Sequence, residues 1–406
     1  MKILYFSQFY KPESIAPSFR ATENSKIWAE MGNEVTVFTG YPNYPTGKIF
    51  DGYDPVLLLE EKINGVRVLR SKLVAKPNTS IIRRLENALS YFFFGLVNVI
   101  CNNRKIGKDY DVVLGTSGVI FNAWLAEIYA KIHHLPFVFE IRDITYVQMK
   151  ATGKSASSIS VAGMRWLELH LCKEAKKVIV VTNGFKKTLV DDGINDTKIN
   201  VITNGVDVQQ CKDAYNSDKK FIMSYFGTLG ISQNIFDTFE YGRTIASEIP
   251  EFAYLIIGEG AQKDEIQRKV ESTGTSFIKM LPGMTSDELE PYYNETQLSV
   301  VTLKKSQNFK FTLPSKLFQI MGRGIAVLFI GPDGEAAEII RKYNAGIALT
   351  GTKEQDLQIL RDFFKNAGWK EELKKMGANG RDAVEKHYSR KKLAENYLSI
   401  LQECVY

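Results

Sequence analysis

Short apolar runs rich in Val, Ile and Phe alternate with longer amphipathic stretches almost from end to end of this chain. That alternation is the signature of βα units feeding parallel sheets. In the first half it predicts strands at residues 3–6, 34–39, 65–70, 112–114, 137–141 and 177–181. The pattern then restarts, with strands expected at 221–225, 254–257, 277–279, 298–301, 326–330 and 346–349. Two runs of this kind predict two sheets. Between them, residues 207–220 are polar and almost free of apolar side chains, which marks a linker. Near the end, Leu393, Tyr397, Ile400 and Leu401 recur at helical spacing within residues 389–401, after a break at His387-Tyr388-Ser389. That helix is expected to pack back across the first domain.

Composition is that of ordinary globular material, with 44% hydrophobic and 24% charged residues and a length of 406 that exceeds what one core usually serves. No run of some 20 apolar residues exists to span a bilayer, and the opening Met1-Lys2-Ile3-Leu4-Tyr5-Phe6 turns polar too soon for a signal peptide, so a cytosolic chain is expected. The cysteines Cys101, Cys172, Cys211 and Cys404 lie far apart, and the histidines show no metal spacing; the thiols are read as reduced and mostly buried.

Charge divides unevenly. Residues 1–203 carry 26 Lys+Arg against 19 Asp+Glu, whereas residues 204–406 carry 26 against 27. The basic first half suits attraction to nucleic acid, an anionic membrane or a phosphorylated substrate. Within the second half one stretch stands apart: residues 296–332 hold Lys304, Lys305, Lys310, Lys316 and Arg323 and no acid. Pro314-Ser315 precedes Lys316 at an expected helix start, where free N–H groups attract phosphate and Ser315 is expected to cap. A solvated basic face beside an αβ unit gives the same pattern.

Other stretches carry candidate chemistry. The first βα connection, residues 7–18, lacks the G-x-G-x-x-G turn and argues against a nicotinamide dinucleotide. The loop 40–53 interleaves Tyr41, Tyr44 and Tyr53 with Gly, Pro and Asn, as a sugar contact or a self-packed surface loop would. Residues 81–108 place Arg83, Arg84, Arg104, Lys105 and Lys108 around an apolar core at 89–100, too short to cross a bilayer but shaped either for its surface or for burial between sheets. At the end of the fifth expected strand, Glu140, Arg142 and Asp143 either handle an acceptor hydroxyl or tie loop to sheet as a local ion pair.

The ordered set Asn204-Gly205-Val206-Asp207, Tyr225-Phe226-Gly227-Thr228-Leu229-Gly230, Ile256-Ile257-Gly258-Glu259-Gly260 and Pro314-Ser315-Lys316-Leu317-Phe318-Gln319-Ile320-Met321 resembles the succession in GT-B glycosyltransferases of family 4. Tyr10-Lys11-Pro12-Glu13, the loop at Tyr41 and Arg142-Asp143 resemble the bacterial branch holding an L-fucosamine transferase of O-antigen and capsule assembly. The resemblance covers nearly the whole chain. It implies an α/β, GT-B architecture of two Rossmann-like domains with parallel sheets facing a cleft: an acceptor-binding, membrane-facing domain at 1–205, a nucleotide-sugar domain at 206–387, and a C-terminal helix at 388–406 returning to the first.

The implied activity is retaining transfer of an amino sugar, such as N-acetyl-L-fucosamine, from UDP to an undecaprenyl-diphosphate-linked saccharide. The site would be peripheral on the inner face of the cytoplasmic membrane, with no cofactor, metal or nucleic acid. Lys316 would neutralise the donor diphosphate, with Gly227, Thr228, Gly230, Asn234, Thr312, Ser315, Gln319, Glu335 and Glu338 completing the donor site. Asp143 and Glu140 would serve catalysis, and Ser14, Ile15, Ala16, Asn43, Tyr44 and Arg142 the acceptor. The sequence departs from the family where two glutamates eight positions apart are common: Phe311 and Gln319 stand there, leaving Glu335 and Glu338 to supply carboxylates. A UDP-sugar 2-epimerase of the same fold and an inert sugar-binding partner of an assembly complex are the alternatives.

Overall fold

A computed structural model describes residues 1–77, 80–151, 158–208 and 220–405. Most of the expected linker, 209–219, and with it Cys211, lies outside the described residues. Contacts divide the chain into two compact units, Met1–Thr203 with Arg390–Tyr406, and Asn204–Ser389.

The first unit is built on strands β1 (Lys2–Phe6), β2 (Glu34–Gly40), β3 (Leu58–Ile63), β4 (Val66–Ser71), β5 (Val112–Thr116), β6 (Phe137–Ile141), β7 (Lys177–Val180) and β8 (Ile199–Val201). They lie in the order β3-β4-β2-β1-β5-β6-β7-β8, parallel throughout except for the antiparallel β3–β4 edge. The inner strands are apolar on both faces because helices cover both. On one side pack the helices Ile81–Cys101, Ile120–His133 and Ser158–Glu174. On the other lie Ala16–Glu30 and the C-terminal helix Arg390–Val405, whose Leu393, Tyr397, Ile400 and Leu401 meet Ile3, Tyr5 and Trp28.

Two strands escape the hydrophobic pattern. Leu58–Ile63 carries Glu60, Glu61 and Lys62, the charges by which an edge strand avoids further pairing. The turn that folds it onto β4, Asn64-Gly65 with φ of 50° and 82°, is the residue pair that a tight hairpin demands. Ile199–Val201 is only three residues long.

The second unit is a six-stranded, all-parallel sheet of β9 (Phe221–Phe226), β10 (Phe252–Ile257), β11 (Ile278–Leu281), β12 (Leu298–Thr302), β13 (Ala326–Ile330) and β14 (Gly346–Leu349). Its order is β11-β10-β9-β12-β13-β14. Each sheet has a point where the parallel strands run outward in opposite directions, between β1 and β5 in the first and between β9 and β12 in the second. Helix coverage switches faces at such a point and opens a crevice beyond the strands' carboxyl ends, where ligands of open α/β sheets bind.

A buried polar anchor ties the C-terminal helix to the first sheet. Glu140, 0% exposed, accepts at Oε1 from Arg20 Nε (2.7 Å) and the Tyr397 hydroxyl (2.5 Å), and at Oε2 from the Tyr5 hydroxyl (3.0 Å). Arg20 also donates to the carbonyls of Ile202 and Thr203, at 3.2 and 3.4 Å. Burial pushes the Glu140 carboxyl up, but Arg20, Arg142 and the two tyrosine hydroxyls outweigh it and hold the group below its ordinary value. The Glu140 oxygens are thus engaged inside the unit by Arg20, Tyr5 and Tyr397, a long-range set in place of the local loop-to-sheet ion pair that the sequence offered as one alternative.

Candidate functional site

The crevice of the second unit is shaped by the turn after β9 and the helix after β12. That helix, Ser315–Gly322, starts after an extended Pro314, and no side chain caps it. Ser315 is thus its first helical residue rather than its cap, and the opening N–H groups are left without a side-chain acceptor. The buried stripe Leu317, Phe318, Ile320 and Met321 fixes the helix against the sheet and leaves Ser315 and Gln319 on the exposed side.

Lys316 lies where these elements meet. Its Nζ is 3.0 Å from the Tyr225 hydroxyl and 4.2 Å from the centre of that ring, and no carboxylate pairs with it among the described residues. Burial alone pushes its pKa down to about 8. A desolvated ammonium without a counter-charge is costly, and an arriving anion relieves the cost. Tyr225 is oriented in turn by its own donation to the Thr228 carbonyl at 2.6 Å.

Gly227 makes this placement possible. Its φ of +144° disfavours any side chain, and a Cβ there would come within 2.3 Å of Lys316 Nζ. Gly227→Ala is expected to displace the ammonium and weaken the binding of inorganic pyrophosphate at least tenfold, measured by calorimetry. An affinity within twofold of the parent would show that the ammonium's position is unimportant.

The basic stretch is less uniform than the sequence suggests. Lys305 pairs with buried Asp356, and Arg323 with Glu290 while stacking 4.1 Å over the Tyr293 ring. Both cations are neutralised by acids outside the acid-free run, which leaves Lys304, Lys310 and Lys316 without a carboxylate partner among the described residues, and of these Lys316 stands at the helix start. Of the other expected donor residues, Thr228 is exposed and Gly230 half-buried, while Asn234 adopts a left-handed conformation ahead of helix Ile235–Glu248 with its side chain on Asp237. Thr312 is half-buried, Phe311 exposed, and Gln319 exposed with its carbonyl accepting from Arg323. Glu335 is buried in the first turn of helix Glu335–Tyr343, and Glu338 is exposed one turn on.

Sequence reading missed the neighbouring cavity of about 440 Å³, which Gly227 and Thr228 share with Gly258, Gly283, Met284 and Thr285. Glu259 at its rim accepts from Lys263 (2.7 Å) and from the Gly283 N–H (3.0 Å), and Glu288 from the Thr285 N–H (2.8 Å), so both carboxylates are occupied. The glycine at the end of β10 was visible in the sequence, but Gly283-Met284-Thr285 carries no motif.

In the first unit, Asp143 is exposed at the loop after β6; surrounding protein still raises its carboxyl above the ordinary aspartate value, with Arg142 opposing. The Arg142 N–H donates to Ser117 Oγ at 2.9 Å, which fastens this loop to the one after β5. Behind it, fully buried Glu168 accepts from the N–H and hydroxyl of Thr145 (3.1 and 3.2 Å), and burial pushes its pKa up to about 7. Ile15, Asn43 and Tyr44 come together around a second cavity at the β1/β5 switch point. Ser14 and Arg142 are not among its described lining residues, and Ala16 opens helix Ala16–Glu30. Of the described cysteines Cys172 and Cys404 are buried and Cys101 is exposed.

Comparison with known proteins gives the same division of the chain. Residues 21–210 match the model described as Glycosyltransferase Family 4, and residues 208–383 the model described as Glycosyl transferases group 1. The uncharacterized glycosyltransferase MJ1069 of Methanocaldococcus jannaschii is 19% identical over 420 residues, covering 100% of this chain and 99% of that one. Among solved structures, a sucrose-phosphate synthase from Thermosynechococcus elongatus superposes with a TM-score of 0.67 at 15% identity, over 99% of this chain and 98% of its own. The Anabaena protein Alr3699/HepE in complex with UDP superposes with a TM-score of 0.66 at 13% identity, over 99% and 100%.

Proposed function

Proceeding from the premise that this chain is a family 4-like glycosyltransferase of GT-B fold, we propose that it transfers an acetamido-deoxyhexose, such as N-acetyl-L-fucosamine, from UDP to a lipid-diphosphate-linked saccharide of O-antigen or capsule assembly. The observation that carries the donor half of this reading is the half-buried Lys316 ammonium, without a carboxylate partner among the described residues, held at the β9/β12 switch point.

The residues suit a diphosphate leaving group. The bond between the anomeric carbon and the diphosphate oxygen breaks, a bond from that carbon to the acceptor oxygen forms on the same face, and the acceptor proton passes to the departing diphosphate. Lys316 and the uncapped helix start stabilise the charge that develops on that diphosphate. The cavity beside Gly227 and Gly283 suits the base and ribose, and HepE is a protein of this fold that binds UDP. Exposed Phe311 gives the sugar an apolar neighbour fitting a 6-deoxy carbon, and Glu335 and Glu338, in the first turn of helix Glu335–Tyr343, supply the carboxylates. Asp143 orients the acceptor hydroxyl.

A membrane-surface location is supported by the helix Ile81–Cys101. Among the described residues no helix is long and apolar enough to cross a membrane. Yet this helix exposes Ile82 (70%), Leu85, Leu89, Phe93 (60%) and Ile100, with exposed Arg83 and Arg84 in its first turn. On the same face of the sheet, the helix Ser158–Glu174 exposes Ile159 and Trp166. Apolar side chains flanked by arginines insert at the headgroup boundary of an anionic bilayer. Ile82→Asp with Phe93→Asp is expected to weaken sedimentation with phosphatidylglycerol vesicles at least tenfold, since each buried side chain contributes about 1.5–3 kcal/mol. Binding within twofold of the parent would remove the membrane assignment.

The donor assignment is tested by thermal stabilisation across UDP, GDP and dTDP sugars, because a ligand that binds only the folded state raises its melting temperature. UDP-linked acetamido-deoxyhexoses are expected to give the largest shift. A larger shift with GDP or dTDP sugars would overturn the UDP reading, and conversion of the donor without acceptor would point to an epimerase.

A further inference from the structure

The cavity of the first unit, about 210 Å³, lies at the β1/β5 switch point and is lined by Gln8, Phe9, Asn43, Tyr44, Asn87, Lys76 and Arg84 among others. It is smaller than the roughly 300–1,000 Å³ of drug-sized sites. That size suits one sugar ring rather than an oligosaccharide.

Its inner wall is a chain of three buried amides whose polarity is fixed at one end. Asn43 Nδ2 donates to the Tyr41 carbonyl (2.9 Å), which only accepts, so Asn43 Oδ1 must receive Asn87 Nδ2 (3.0 Å). Asn87 Nδ2 also donates to the Val74 carbonyl (3.3 Å), so Asn87 Oδ1 must receive Gln8 Nε2 (2.7 Å). The series ends at Gln8 Oε1, which is buried and has no hydrogen-bond partner among the described residues, on a residue 4% exposed. A buried acceptor left in that state calls for a donor from a ligand, such as a hydroxyl or acetamido N–H. Glu13 Oε1 holds the loop that carries this wall, accepting from the N–H groups of Asn43 and Tyr44 at 2.9 Å each. Phe9 and Tyr44 meet edge to face, with ring centres 6.2 Å apart, and give an apolar surface for the sugar's C–H face.

The remaining lining is cationic. Among the described residues Lys76 keeps only a long contact with Glu86 (3.6 Å) and exposed Arg84 has no carboxylate partner. Arg84 and Asn87 belong to the same helix, Ile81–Cys101, that exposes Ile82, Leu85 and Leu89. Sugar-reading amides, paired cations and exposed hydrocarbon thus follow one another along a single element.

We propose that this cavity holds the sugar of an amphiphilic sugar diphosphate, with Gln8 and Asn87 reading its polar groups, Lys76 and Arg84 holding its phosphates, and Ile82, Leu85 and Leu89 carrying the first stretch of its lipid. The proposal rests on the lipid-linked acceptor reading and gives that acceptor its residues.

The test is calorimetric titration of the full chain with a farnesyl diphosphate bearing one N-acetylhexosamine, with farnesyl diphosphate alone, with inorganic pyrophosphate and with UDP. The double variant Lys76→Ala, Arg84→Ala is expected to bind the glycosylated probe at least tenfold more weakly and UDP unchanged. Gln8→Leu is expected to weaken the glycosylated probe about fivefold or more and leave farnesyl diphosphate unaffected. Pyrophosphate is expected to bind at least a hundredfold more weakly than the glycosylated probe. A double variant within twofold of the parent, a Gln8→Leu effect independent of the sugar, or pyrophosphate binding as tightly as the probe would each overturn the proposal. If the probe binds as expected but receives no sugar from any UDP-sugar, the lipid-acceptor reading fails and the cavity assignment stands. If the double variant glycosylates a lipid acceptor undiminished, the cavity assignment fails and the reading stands.

Discussion

Lys316→Met is expected to lower transfer about 10²- to 10³-fold, the loss seen when one preorganised charge stabiliser is removed, and to weaken UDP about tenfold to a hundredfold. The fold should survive, because methionine fills the same space without a charge to desolvate. The sign of the stability effect separates this reading from a structural one. The Lys316 pKa in the ligand-free fold is depressed to about 8, below that of an unfolded lysine. Below pH 8 the folded ammonium is charged and its burial costs stability; that cost fades as pH rises from about 8 toward the ordinary lysine range. At pH 7 and without ligand, Lys316→Met should therefore melt no lower than the parent, while losing UDP. Bound diphosphate favours the charged form, so the parent's affinity for UDP should fall above pH 8 by roughly tenfold per pH unit until the bound-state value is reached. A pH-independent affinity between 7 and 9.5 would contradict the placement of the diphosphate on this ammonium.

Glu140→Ala should be the most damaging single change to the first unit. It leaves Arg20 with a buried guanidinium and the hydroxyls of Tyr5 and Tyr397 without their shared acceptor. Removing one partner of a buried ion pair costs about 3–5 kcal/mol, a large part of a domain's total stability. Because the folded Glu140 carboxyl is held below its ordinary value, its contribution is present above the unfolded glutamate pKa and is lost as pH falls through the depressed folded value. Urea unfolding of the first unit, followed through Trp28 beside Tyr397, should show that loss at pH 7 and a smaller difference between variant and parent in acid. A change below about 1 kcal/mol at pH 7 would mean that the anchor is dispensable and would reopen an acid-base role for Glu140.

The two sheets were legible because most strands are buried on both faces and read as continuous apolar runs, such as Ala326–Ile330. Leu58–Ile63 was not, because an edge strand is protected by the charges that disguise it. The C-terminal helix showed its period, yet nothing local announces that Tyr397 shares a carboxylate with Arg20 and Tyr5. Long-range pairing also defeated the charge reading: Lys305 and Arg323 look available until Asp356 and Glu290 are brought to them. At Lys316 the sequence spoke more clearly, since the helix start, the apolar stripe and the glycine turn are each local. The amide series Gln8–Asn87–Asn43 joins three separate loops and helices and could not have been read from spacing.

The most direct measurement is release of UDP from a UDP-linked acetamido-deoxyhexose, with and without a lipid-diphosphate-linked saccharide. Stoichiometric UDP and elongated lipid are expected in the presence of the acceptor, and only slow hydrolysis in its absence. Equal UDP release with and without acceptor, or transfer to a lipid-free sugar as fast as to the lipid-linked one, would contradict the proposed transfer.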